Sequence, residues 1–154
     1  MVDLVISRIA HLVFAALWAG SVWYVAFVVI PLAGDGAFRT TEPLVAFTDR
    51  LRTISRVSAL VLLLTGGHLA ASGYTADSLV ETTNGQLVLV MTGLWLALTA
   101  VVEVATARLD DGLSSKKLRE PARTTRPLFL LAAALALGLL VVAGAITADA
   151  ARLL

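Results

Sequence analysis

Four long apolar runs, separated by short charged stretches, constrain this chain more than any other feature. They fall at about residues 4–32, 54–72, 86–107 and 127–148. A helix crosses the ~30 Å hydrocarbon layer with ~20 apolar residues, and each run approaches or exceeds that length. In lipid every backbone N–H and C=O must find a partner within the protein, so such runs fold as helices. Only 15% of the residues are charged, against about 25% in soluble domains. A chain of 154 residues has room for four spans and short loops. The expected fold is all-α: a polytopic membrane protein, an antiparallel bundle of four transmembrane helices, with residues 1–154 as one domain. The first run is too long for a signal-peptide core and carries both Asp3 and Arg8 near its start, so a retained helix is expected.

The basic residues set an expected orientation. Stretch 34–56 holds Arg39, Arg50, Arg52 and Arg56, and stretch 108–126 holds Arg108, Lys116, Lys117, Arg119, Arg123 and Arg126. Stretch 72–85 has Asp77 and Glu81 and no Lys or Arg. Basic loops stay in the cytoplasm, so both termini and stretch 72–85 are expected outside the cell membrane. Arg8 and Arg152 go against this bias, which otherwise rests on ten residues. Residues 43–55 mix apolar and basic side chains at helical spacing, and Pro43 suits a helix start. This piece reads either as a short interfacial helix or as an extension of the second span. A net charge of +1 gives no reason to expect a nucleic-acid partner, and without cysteine there is no disulfide or thiolate site.

The only histidines are His11 and His68. Both sit in apolar runs, where an ionisable side chain usually marks function. At ~1.5 Å rise per residue, His11 lies roughly 10 Å outward from the centre of the first span, near Trp18. The second span runs the opposite way, which puts His68 roughly 6 Å outward from its centre, near Leu64. Antiparallel helices thus bring both imidazoles to similar depth. Met91 lies in the outer half of the third span. Two imidazoles and a thioether suit copper(I), or a haem iron with axial His and Met or His and His. The plainer readings are that His11 bonds a neighbouring helix, His68 reaches interfacial water, and Met91 fills space.

The neighbours extend this candidate site. Gly66 and Gly67 bare the backbone beside His68, so a flat macrocycle or another helix can approach. Trp18 is two turns from His11 and either walls a pocket or packs. Arg8, one turn outward, suits a haem propionate or a lipid headgroup. Glu103, in the inner half of the third span, can pair with Arg56 or Arg108, or serve a proton or cation relay. Thr65, Thr92 and Thr99 are expected to bond within their own helices. There is no phosphate-binding glycine loop, nucleophile elbow or catalytic carboxylate pair, so transport or electron transfer is expected rather than hydrolysis.

Several stretches resemble the copper resistance D (CopD) family. His11-Leu-Val-Phe-Ala-Ala-Leu-Trp18-Ala-Gly20, followed by Pro31, is similar to the family's first helix. Phe47 to Gly67, with Arg56-Val-Ser and a Leu-Thr65-Gly66 ending, is similar to its second. Thr82-Thr83-Asn84-Gly85-Gln86 is similar to its outer loop and third-helix start, with Asn84 where the family carries Tyr. The family's common Lys in that helix is absent. The resemblance implies an inner-membrane protein of copper uptake or tolerance, and a copper donor protein is one partner to look for.

Two cofactor readings stay open from the residues. In one, His11 and His68, with Met91, bind copper. In the other, the two histidines ligate one haem b of an electron carrier that exchanges electrons with quinone. A third reading is a structural or assembly protein without cofactor. The lipid bilayer is the expected surrounding in all three. Small residues on the fourth span (Ala132, Ala136, Gly138, Gly144) offer faces for a homo-oligomer or for packing within one chain.

Overall fold

The computed structural model describes residues 2–115 and 117–152, with side chains described as far as Ala148. Lys116 and the Arg152 side chain, both counted in the charge bias, lie outside the described residues. Among the described residues the chain is helical, without strands. Helix α1 spans Val2–Asp35, α2 Glu42–Gly73, α3 Ala76–Glu81, α4 Thr83–Ser114 and α5 Arg119–Arg152. Four of these are long and apolar enough to cross a membrane.

Local chemistry explains the boundaries. Pro31 lacks an N–H and its ring crowds the preceding turn. Helix α1 accommodates it with one π-helical turn, Val25–Val29, closed by Ile30 N–H donating to Val25 O. Gly36, at φ 84°, then ends the helix, with its own N–H on Ala33 O and that of Ala37 on Leu32 O. Helix α2 starts with Pro43 in its first turn. Thr75 caps α3 by accepting from Ser78 N–H, and Thr82 caps α4 by accepting from Gly85 N–H.

The helices are longer than the apolar runs. Residues 43–55 are the first turns of α2 and not a separate interfacial helix. No Gly or Pro lies between Pro43 and Gly66 to stop them. Most of stretch 108–126, expected as a loop, is helix, since α4 continues to Ser114 and α5 begins at Arg119. Pro127, expected at the start of the fourth span, is therefore inside a helix. The connection 72–85 also contains α3.

Helix α1 packs on α2 and α5, α2 on α4, and α4 on α5. Paired residues run in opposite order along each couple, as in the bonded His11–Thr65 and Trp18–Ser55 and the packed Gly112–Pro121 and Leu94–Gly138. The neighbours in this ring are therefore antiparallel. The core comprises Trp18, Val22, Ile30, Leu44, Leu51, Leu98, Val102, Leu109 and Phe129, with Ala132 and Ala136 letting α5 come close. These residues concentrate toward the end with the basic stretches. At the other end Leu12, Val13, Leu64, Leu89 and Val141 are exposed. An apolar exterior of that extent suits lipid rather than water.

Candidate functional site

Helix packing carries His11 from α1 onto α2. Its Nδ1 lies 2.9 Å from Thr65 Oγ1, and its half-buried ring lies against Gly66. A Cβ built at Gly66 would stand 3.0 Å from His11 Cε1, a tight contact that the bare glycine relieves. Thr65 also bonds Val61 O at 2.7 Å. A hydroxyl has one proton and a carbonyl can only accept, so Thr65 donates to Val61 O and accepts from His11 Nδ1–H. That places a proton on Nδ1, so in the neutral ring it is Nε2 that carries the lone pair.

The other candidates are distributed around this contact. His68 follows Thr65 by three residues, ~4.5 Å farther along α2 and about 60° around it. Its side chain is exposed and makes no hydrogen bond among the described residues, while its carbonyl accepts from Ser72 Oγ. Gly67 faces open space. Met91 is half-buried on α4, and Arg8 is exposed. Trp18 is buried two turns inward, where its Nε1–H donates to Ser55 Oγ at 2.9 Å. That bond ties α1 to α2 and accounts for the tryptophan as packing. Among the described residues no group of three or more His, Cys, Asp or Glu side chains converges.

Sequence reading gave Thr65 only an intrahelical bond; it makes that bond and also holds His11. Nothing in the sequence marks Trp95. Its indole N–H is buried without a partner among the described residues. Extending the antiparallel register of α2 and α4 from Arg56–Glu103 brings Trp95 to about the level of Thr65. Neither fact is legible in the sequence, because both depend on which helix faces which.

Toward the basic end, charges bridge α2 and α4. Arg56 donates to both oxygens of Glu103, at 2.7 and 2.9 Å. One turn along, Arg52 meets Asp110 at 2.6 Å and Asp49 at 3.6 Å. Glu103 thus pairs with Arg56 rather than Arg108, and it acts as an interhelical tie.

A family model described as Copper resistance protein D matches residues 45–148. The matched range includes Thr65, His68, Met91 and the Arg56–Glu103 pair, and it begins beyond His11 and Trp18. No curated protein and no solved structure matches the chain.

Proposed function

The chain belongs to the copper resistance protein D family, and we propose that this multi-pass membrane protein handles copper ions as cargo through a site built on His11. The observation that carries this reading is the bond chain from His11 Nδ1 through Thr65 Oγ1 to Val61 O. It holds the ring in one orientation and leaves Nε2 as a free donor atom. Metal-binding histidines are commonly held this way, with the second nitrogen donating to a neighbour, and imidazole suits copper. His68, one turn farther along α2, is the second donor in this reading, and Met91 on α4 the third. The charge bias supports placing this end of the bundle on the outer side, with the basic stretches in the cytoplasm.

A haem b held between His11 and His68 is the alternative reading, which needs a flat slot between the two rings; a Soret band in the purified protein would favour it over copper.

The test is copper binding by the purified protein in detergent, with ligand type read by X-ray absorption. His11→Ala is expected to weaken binding about 10-fold or more and to remove one imidazole from the copper shell. Losses of 10–100-fold already follow removal of a residue that merely orients a ligand. Unchanged affinity and an unchanged shell in His11→Ala would overturn the proposal and leave a bundle without a site at this position.

A further inference from the structure

The basic end of the bundle carries a second feature, in which His11 plays no part. An open groove of about 520 Å³ runs between α1 and α2, lined by Ala16, Gly20, Tyr24, Phe47, Arg50 and Ile54 among others. Its size falls in the range of small-molecule sites. The groove exists because α1 presents small residues there. A Cβ at Gly20 would meet nothing within 4 Å. Its walls are mostly apolar; Ser21 sends its hydroxyl proton to Leu17 O, and Arg50 supplies the one charge.

Arg50 differs from the other arginines on α2 in this region. Arg52 is paired with Asp110 and Asp49, and Arg56 with Glu103. Arg50 is exposed and pairs with no carboxylate among the described residues. Its depth matters too. It lies 23 residues from Gly73 at the far end of α2, roughly 35 Å at ~1.5 Å per residue. With Gly73 at one face of a ~30 Å hydrocarbon layer, Arg50 reaches the headgroup level of the opposite leaflet. Tyr24, whose ring lies 6.4 Å from that of Phe47, marks the same level, where tyrosine is favoured.

We propose that this groove binds an anionic phospholipid, with an acyl chain along Ala16 and Gly20 and the phosphate on Arg50. The apolar walls fit a chain and the unpaired cation fits the headgroup charge. A zwitterionic lipid presents the same chain with its phosphate charge offset, so the arginine makes the site selective for a net negative headgroup.

The experiment is native mass spectrometry of the delipidated full chain, titrated separately with phosphatidylglycerol and phosphatidylcholine. Wild-type protein is expected to bind phosphatidylglycerol about fivefold more tightly, the contribution of one basic side chain near an anionic surface. Arg50→Gln is expected to bind both lipids equally, with the phosphatidylcholine affinity unchanged. Gly20→Leu fills the groove from a position with open space, so the bundle keeps its packing, checked by its melting temperature. This variant is expected to lose binding of both lipids at the site. Arg126→Gln, another exposed arginine at the same end, is expected to match wild type. Equal affinity of the two lipids in wild type, retained selectivity in Arg50→Gln, or full binding in Gly20→Leu would each overturn the proposal. None of these outcomes bears on copper binding.

Discussion

His11 on α1 donates from Nδ1 to Thr65 Oγ1 on α2 at 2.9 Å. The tautomer of one helix's histidine is thereby set by the hydroxyl of another, because Thr65 sends its own proton to Val61 O. The partner comes from another helix, 54 residues on in the chain.

Thr65→Val removes the acceptor while keeping the shape of the side chain. Copper affinity is expected to fall about 10-fold, at the low end of what loss of an orienting partner costs, and Thr65→Ser is expected to restore most of it. Titration of the two variants with copper(I) in competition with a chelator measures this. Equal affinities for Val and wild type would remove Thr65 from the site.

Gly66→Ala places a methyl 3.0 Å from His11 Cε1. The ring must give by a few tenths of an ångström, which offsets the ~1 kcal/mol that alanine gains over glycine inside a helix. Gly67→Ala points into open space and is expected to keep that gain. Melting curves in detergent, run side by side, separate the two. Equal gains at the two positions would mean that the His11 contact is slack.

Ser55→Ala leaves the buried Trp18 Nε1–H without its acceptor. Such an orphaned donor costs about 1–3 kcal/mol. Adding Trp18→Phe removes the donor as well, at the expense of some packing. The Ser55→Ala cost measured in the Trp18→Phe background is therefore expected to be smaller than in wild type. Equal costs in both backgrounds would show that the bond contributes nothing.

Glu103→Gln strips Arg56 of the carboxylate that it grips with two nitrogens. Heat resistance is expected to drop. Exchanging the pair, Arg56→Glu with Glu103→Arg, is expected to recover part of it, because the charges again face each other across α2 and α4. A double variant no better than the single would indicate that the tie acts by shape and not by charge.

The spans near 4–32, 54–72, 86–107 and 127–148 all fall inside the four long helices, since hydropathy registers the solvent around a segment. Their ends do not follow from hydropathy. Residues 43–55 and 108–114 continue as helix because nothing in the backbone chemistry stops them, and a charged helix outside lipid is as regular as an apolar one within it. Trp18 illustrates a different limit. Its spacing from His11 fits a pocket wall or a core residue equally, and the Ser55 hydroxyl, 37 residues on, decides for the core.

The apolar runs and the placement of charge determined by themselves that this chain is a helical membrane protein, and short motifs in three of the helices pointed to its family. They did so because transfer into lipid is paid residue by residue and is visible in composition. Tertiary structure decided the rest: that His11 rests on Thr65 and Gly66, that Glu103 grips Arg56, and that Arg50 stands alone beside a groove. Each of these depends on the rotation and register of packed helices. Side chains 47–54 residues apart in sequence meet only once that packing has formed.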